Sequence, residues 1–152
     1  MNGNLIIITF DQLRGDWVDT QKEKVAIPNL KTLAENSLVL SRCYCAAPQC
    51  MPSRFSWLSN LYPSEFGMTK NSETDMPSNA PSFIRKLRDN GWSTSLVGKT
   101  HWTNHRKPCD LRLKKSSIEK LGFEEIIEVA GPRALRHVEC DLTDEWNKAG
   151  IR

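Results

Sequence analysis

The feature that most constrains the fold is a nearly continuous apolar run at residues 5–10, Leu-Ile-Ile-Ile-Thr-Phe. The run is rich in β-branched residues and does not alternate with polar ones, which is typical of a strand buried on both faces of a parallel sheet. It ends at Asp11 and Gln12. Ligands of open α/β sheets bind at the carboxyl ends of the strands, so these two side chains are placed for a function.

The remaining sequence alternates helix-like and strand-like segments. A predicted helix begins at Pro28, and further helices are predicted at residues 52–61, 82–90 and 144–149. Strands are predicted at residues 38–44, 92–97 and 123–129, a surface loop at 62–81, and a loop with a short helix at 103–120. This order implies βαβ units, and the predicted fold class is therefore α/β with a mainly parallel sheet flanked by helices.

Length and composition limit the classes of protein. The 152 residues are enough for one domain, although the few strands and the helix at the end predict an incomplete, N-terminal portion, residues 1–152, of a larger fold. The net charge of +3 does not indicate a nucleic-acid or membrane partner. We see no secretion signal and no apolar run near the roughly 20 residues of a membrane helix, so we expect a cytoplasmic protein. The odd number of five cysteines favours reduced thiols.

Cys50 is predicted to lie just before the N-terminus of the helix at 52–61. Exposed N–H groups and the helix dipole favour negative charge at such a position. Arg54 follows one helical turn later, where its guanidinium can hydrogen-bond an oxyanion at position 50 or an anionic substrate. A free cysteine is more often a small buried hydrophobe, and the spacing alone does not decide between these readings.

Five motifs in order resemble the formylglycine-dependent sulfatase family, of the alkaline phosphatase-like superfamily. Cys-Met-Pro-Ser-Arg at 50–54 matches the Cys-x-Pro-x-Arg element that maturation enzymes recognise. Residues 5–16 resemble the first strand and metal-binding turn, and Ile-Pro-Asn-Leu at 27–30 resembles the Thr-Pro-Asn-Leu helix start. Residues 96–102 resemble the Gly-Lys-x-His segment, and Gly-Phe-Glu-Glu at 122–125 resembles the Gly-Phe-Asp-Glu that follows it. The resemblance covers the N-terminal portion of such a domain.

The resemblance implies a metal-assisted site. Asp11 and Gln12 would bind a divalent cation, usually Ca²⁺ with Mg²⁺ or Mn²⁺ as alternatives, and the formylglycine made from Cys50 would also touch it. Hard cations prefer such oxygen ligands. The family's other metal ligands, together with a further Lys and His, would lie beyond Arg152. The implied partners are a formylglycine-generating or anaerobic maturation enzyme and a small-molecule or carbohydrate sulfate ester.

The resemblance also implies the catalytic roles. The hydrated formylglycine at Cys50 would attack sulfur and displace the alcohol, and Arg54 would hold the hydrate. Lys99 and His101 would bind and neutralise the sulfate oxygens. A metal and fixed cations suit the negative charge that develops on a sulfate ester, and His101 could assist proton transfer because its ordinary pKa is near neutrality.

Three alternatives stay open. Related enzymes with the same element hydrolyse phosphonate or phosphate esters. A non-catalytic truncated relative is the second alternative, because residues 58–61 read Leu-Ser-Asn-Leu where the family commonly has Leu-Thr-Gly-Arg. The third is a structural zinc module, with ligands drawn from Cys43, Cys45, Cys50, His101, His105 and Cys109, although their spacing fits no ordinary zinc ribbon or finger.

Overall fold

A computed structural model describes residues 3–18, 25–71 and 75–151. These residues belong to two compact units that divide between Tyr44 and Cys45. The first unit contains helices α1 (Gly15–Val18) and α2 (Pro28–Glu35). No helix in the described ranges has both the length and the apolar character needed to cross a bilayer.

The second unit mixes helices with short strands. Its helices are α3 (Cys50–Ser59), α4 (Phe83–Asp89), α5 (Lys115–Glu119) and α6 (Asp141–Lys148), and its strands are β1 (Ser95–Gly98), β2 (Cys109–Asp110), β3 (Glu125–Glu128) and β4 (Val138–Glu139). Short 3₁₀ helices cover Pro63–Phe66, Leu111–Lys114 and Ala134–Arg136. The loop predicted at 62–81 therefore contains a 3₁₀ turn, and the segment at 103–120 contains a short strand besides its helical turns.

Two pairs of parallel strands make up the sheets of the second unit. Strands β1 and β3 pair in parallel with Ser95 opposite Glu125, and β2 pairs in parallel with β4. The strands predicted at 92–97 and 123–129 are thus present as β1, which begins three residues later and ends one residue later, and β3, which is shorter at both ends. The prediction of an α/β fold with parallel pairing is confirmed.

The strands predicted at residues 5–10 and 38–44 are wrong for this structure. Neither segment is assigned to a strand, and their apolar side chains are exposed, Ile6 by 80% and Leu38 by 87%. A buried parallel strand needs hydrogen-bonded neighbours and helices over both of its faces. Among the described residues no strand pairs with either segment, so the pattern of side chains has no ladder to join.

The predicted helices are present, and α3 and α6 begin earlier than predicted. Helix α2 begins at Pro28 as expected, since proline suits the first helical turn. Helix α4 is capped by Ser82, whose hydroxyl accepts the backbone N–H of Arg85 at 3.2 Å. Helix α3 begins two residues before the prediction, so Cys50 is its first residue and not the residue before it. Helix α6 begins three residues early, at Asp141.

Two apolar clusters stabilise the second unit. The main core joins α3, α4, α5 and β3 with the turn after β1, through Met51, Phe55, Leu58, Met68, Met76, Ala80, Ile84, Trp102, Ile118, Leu121, Phe123 and Ile126. The C-terminal core contains Cys109, Leu111, Ala130, Val138 and Cys140. Because α3 and the turn after β1 both pack into the main core, this core fixes the position of α3 relative to that turn. The extent of a single domain over residues 1–152 stays a prediction.

Candidate active site

Helix α3 begins at the predicted nucleophile. Gln49 is its N-cap residue in extended conformation, and Cys50 is half-buried in the first turn. The next backbone N–H, that of Met51, donates to Oδ1 of Asn71 at 2.9 Å, and the backbone N–H of Asn71 donates to Oε1 of Gln49 at 2.9 Å. This reciprocal pair fixes the helix start at Cys50, because it satisfies a donor that the helix itself leaves open.

The end of α3 explains one departure from the family pattern. Asn60, which stands where the family commonly has glycine, is the C-cap with φ +59°. Glycine and asparagine are the residues that adopt this left-handed conformation most readily. Ser59 is buried, and its hydroxyl donates to the carbonyl of Phe55 at 2.8 Å. The Ser-Asn pair therefore ends the helix as a Thr-Gly pair would.

Three of the predicted catalytic residues meet in the second unit. The ammonium Nζ of Lys99 lies 3.4 Å from Sγ of Cys50, and Nη1 of Arg54 donates to the backbone carbonyl of Lys99. Cys50 and Arg54 belong to the first turns of α3, whereas Lys99 follows the last residue of β1. An anion bound beside Cys50 would therefore meet the ammonium of Lys99 and the N-terminus of α3.

The turn that follows β1 carries Lys99 and His101. Gly98 and His101 both have positive φ, +110° and +56°. The hydroxyl of Thr100 donates to Oε1 of Glu128 at the end of β3 and accepts the backbone N–H of Trp102 at 3.3 Å. These bonds stabilise the left-handed conformation of His101, which residues other than glycine rarely adopt, and they fix the shape of the turn.

His101 faces a second histidine. The rings of His101 and His105 stack with centroids 4.8 Å apart. The pKa of His105 is lowered to about 4, first by burial and then by the positive charges of His101, Lys114 and Lys99. His105 is therefore neutral at physiological pH. The sequence prediction named His105 only as a zinc-ligand alternative and missed its contact with His101.

The two predicted metal ligands belong to the first unit. Asp11 and Gln12 are both exposed, and Gln12 has φ +61°, which makes a sharp turn directly after the extended run. Nearby, Asp16 accepts two hydrogen bonds from Arg14 at 2.9 Å each. The adjacent carboxylate and amide oxygens suit a hard cation in kind, although two ligands are fewer than the six to eight that Ca²⁺ takes.

No group of three or more His, Cys, Asp or Glu side chains suited to a metal ion occurs within the described residues. All five cysteines, each of them described, are free thiols, and Cys109 and Cys140 are buried. Burial raises the pKa of the Cys109 thiol, which opposes its use as a thiolate ligand. The described residues thus offer no support for the zinc alternative.

The site contains residues that sequence reasoning missed. Asn71 and Glu128 reach it from positions 20 and 28 residues away from their hydrogen-bond partners, Met51 and Thr100. Neither belongs to a motif. One signal in the sequence is the proximity of Glu128 to the end of a predicted strand, where polar residues gather in α/β folds. Asn71, in a polar loop, gives no such signal.

Comparison with known proteins agrees with this fold. Residues 3–147 match the model of the sulfatase family, described as Sulfatase. The chain is 34% identical over 100 residues to a choline-sulfatase of Rhizobium meliloti (strain 1021), covering 65% of this chain and 19% of that protein. It is 31% identical over 109 residues to the human steryl-sulfatase, covering 64% of this chain and 19% of that protein.

A third relative is an arylsulfatase of Clostridium perfringens (strain 13 / Type A), 26% identical over 110 residues that cover 72% of this chain and 23% of that protein. The chain therefore spans about a fifth of the length of the curated relatives it matches. The fold and the cluster define an α/β protein in which a cysteine at a helix start contacts a lysine at a strand end. The chain belongs to the sulfatase family.

Proposed function

We propose that the chain supplies the nucleophile and the cationic cluster of a sulfuric ester hydrolase. The observation that carries the proposal is the contact between Nζ of Lys99 and Sγ of Cys50 at 3.4 Å, with Arg54 bonded to the carbonyl of Lys99. A sulfate ester is an anion that gains charge on its bridging oxygen as the bond to sulfur breaks. Fixed cations around position 50 lower the energy of that charge.

The residues take separate roles in the proposal. Arg54 and the N-terminal turn of α3 hold an oxyanion at position 50, while Lys99 binds a sulfate oxygen or the leaving oxygen. His101, on the same turn as Lys99, binds a second sulfate oxygen and can transfer a proton to the leaving alcohol. The neutral His105 stacks on His101 and fixes the plane of its ring without adding a positive charge.

Two groups complete the proposed chemistry. A formylglycine made from Cys50 by a formylglycine-generating or anaerobic maturation enzyme would provide an aldehyde hydrate whose hydroxyl attacks sulfur. A divalent cation, Ca²⁺ in most of the family with Mg²⁺ or Mn²⁺ as alternatives, would act as a Lewis acid, and the oxygens of Asp11 and Gln12 are the ligands that the resemblance implies for it.

The substrate class is a small-molecule or carbohydrate sulfate ester. The relatives are named for choline, steryl and aryl sulfates, and those names describe the relatives alone. The cationic cluster would also attract a tetrahedral phosphorus anion. Phosphonate or phosphate ester hydrolysis is therefore the alternative activity to be measured beside sulfate ester hydrolysis.

The test uses the complete polypeptide, produced with a working maturation enzyme and Ca²⁺. Hydrolysis of an aryl sulfate, an aryl phosphonate and an aryl phosphate is compared for the wild type, Cys50→Ala and Cys45→Ala. Cys45 is an exposed free thiol close in sequence and serves as the matched control. We expect sulfate to be the preferred ester and only Cys50→Ala to abolish turnover.

Preferred turnover of a phosphorus ester, lost in Cys50→Ala, would replace the sulfatase proposal by the alternative activity. Absence of turnover with all three esters in a fully converted protein would favour the non-catalytic relative. Loss of activity in Cys45→Ala as well would remove the special role given to Cys50.

A further inference from the structure

Glu128, the last residue of β3, is a buried carboxyl group to which the proposed mechanism gives no role. Its side chain is 1% exposed, and its Oε1 accepts a hydrogen bond from the hydroxyl of Thr100. Its Oε2 is buried without a hydrogen-bond partner among the described residues. Burying an ionisable carboxyl group costs free energy unless the group is paired. A neutral side chain such as glutamine could accept the same hydrogen bond at a lower cost.

The partner of Glu128 lies between Lys99 and His101, the two residues predicted to bind the sulfate oxygens. Thr100, 1% exposed, directly follows Lys99 and precedes His101. Its hydroxyl oxygen also accepts the backbone N–H of Trp102 at 3.3 Å. The chain of hydrogen bonds from Glu128 through Thr100 to Trp102 therefore spans the left-handed residue His101, at φ +56°.

The residues after Glu128 hold the other side of the same turn. The backbone N–H of Val129 donates to the carbonyl of Gly98 at 3.0 Å. Gly131 packs so closely on Lys99 that a Cβ placed on it would lie 3.1 Å from both Cε and Nζ of the lysine. Residues 128–131 thus contact Gly98, Lys99 and Thr100, which are consecutive residues of the turn.

We propose that Glu128 is a positioning residue that acts through Thr100 to fix the turn that carries His101 and that places Lys99 beside Cys50. This inference rests on the proposed sulfatase function for its effect on turnover, whereas the clamp on the turn can be measured without any substrate. The carboxyl group does not touch the reacting atoms. Its contribution is the orientation of the turn, and small displacements of groups that stabilise a transition state lower turnover more than substrate binding.

The test compares Thr100→Val, which removes the hydroxyl with little change of shape, with Thr100→Ser, which keeps it. Thr143→Val is the matched control, since Thr143 is also a fully buried threonine whose hydroxyl accepts a backbone N–H, that of Cys140 at 2.8 Å, in the C-terminal core. Glu128→Leu and Glu128→Gln repeat the comparison from the other partner, because glutamine keeps an acceptor oxygen for Thr100.

The first readout is amide hydrogen exchange in the complete polypeptide, before maturation and without substrate. We expect Thr100→Val and Glu128→Leu to raise exchange at the Trp102 amide by about fivefold relative to the mean of the core, the effect of one lost hydrogen bond. Thr100→Ser, Glu128→Gln and Thr143→Val should leave the Trp102 amide protected. Equal protection of Trp102 in Thr100→Val and in the wild type would overturn the clamp.

The second readout is turnover of an aryl sulfate by the complete enzyme. We expect Thr100→Val and Glu128→Leu to lower kcat by about 10- to 100-fold with little change in KM, and the conservative variants to restore kcat. A similar fall in Thr143→Val would show that kcat follows stability and would overturn the positioning role. If the matured wild type hydrolyses no sulfate ester, the proposed function fails, and the exchange comparison alone decides on the clamp.

Discussion

The ammonium nitrogen of Lys99 lies 3.4 Å from the sulfur of Cys50, although the two residues are 49 positions apart in the sequence. Their contact joins the first turn of α3 to the residue that follows β1. Arg54 strengthens the junction by donating a hydrogen bond to the backbone carbonyl of Lys99. The N-terminus of a helix and the carboxyl end of a strand are the two places in an α/β fold where anions bind most readily.

Replacement of Lys99 by methionine should lower kcat of the complete enzyme by about 10²- to 10³-fold, the usual effect of removing one group that stabilises transition-state charge. Methionine keeps the length of the side chain and removes only the ammonium. Lys86→Met, on the exposed face of α4, is the matched control and should keep full activity. Lys99→Met with turnover within a few-fold of the wild type would contradict the role given to Lys99.

Gly131→Ala should impair activity without unfolding the protein. The added Cβ would lie 3.1 Å from Cε and Nζ of Lys99, so the flexible end of the lysine must move by a few tenths of an ångström. We expect a fall in kcat of about tenfold, because the ammonium is displaced from position 50. Gly3→Ala, whose Cβ would meet nothing within 4 Å, is the control. A Gly131→Ala enzyme with the kcat of the wild type would show that the displacement of Lys99 does not affect turnover.

Gly122→Ala should destabilise the second unit severely. Gly122 has φ +113°, and a Cβ on it would lie 2.3 Å from the backbone nitrogen of Arg85 in α4. Gly150 has φ +67° and nothing within 4 Å of its Cβ, so Gly150→Ala measures the effect of backbone strain without the steric clash. We expect Gly150→Ala to cost about 1 kcal/mol from backbone strain alone and Gly122→Ala about 3 kcal/mol or more.

Urea unfolding of the two glycine variants measures this difference. Similar losses of unfolding free energy in both variants would show that α4 shifts to accommodate the methyl group at position 122. That result would remove the close packing of Gly122 on α4 as a source of stability.

The dependence of stability on pH should show two opposed contributions. Burial raises the pKa of Glu128 to about 6, partly offset by its bond to Thr100 and by the charge of Lys114, while Asp75 and Asp141 raise it further. The contribution of protonated Glu128 to the free energy of unfolding is therefore complete below about pH 4.5 and is lost as the pH rises through 6. Its magnitude is about 2 kcal/mol. The lowered pKa of His105, about 4, acts in the other direction.

The contribution of His105 is complete above about pH 6.5 and is lost as the pH falls through 4, because the unfolded histidine takes up a proton that the folded one resists. The charges facing this ring are those of His101, Lys114, Lys99 and His137. We expect Glu128→Gln to lose stability more steeply than the wild type between pH 6.5 and 4.5. Urea unfolding at several pH values checks this, and a slope equal to that of the wild type would contradict the burial of an ionisable group at position 128.

Much of the second unit could be predicted from the sequence because its signals are local. Pro81 before the segment and Gly91 after it mark α4, and the apolar pattern after residue 122 marks β3. That Cys50, Arg54 and Lys99 belong to one site was implied by the resemblance to the family, and the structure shows the contacts of Lys99 with Cys50 and Arg54.

The rest depends on contacts that leave no local pattern. The apolar run before Asp11 has the composition of a buried strand, yet a strand forms only where a neighbouring ladder completes its hydrogen bonds. Glu128 and Asn71 act through single hydrogen bonds to distant partners, Thr100 and Met51. No periodicity reports such pairs, so only the folded arrangement identifies them.

The most direct measurement is the mass of the tryptic peptide that ends at Arg54 and begins after Arg42, from protein produced with a maturation enzyme. Conversion of the Cys50 thiol to an aldehyde lightens this peptide by about 18 Da. Fragment ions assign the change among Cys43, Cys45 and Cys50, and a sulfatase known to be converted in the same cells is the control. The account predicts a loss of about 18 Da located at Cys50. An unmodified Cys50 beside a converted control would contradict the proposed nucleophile.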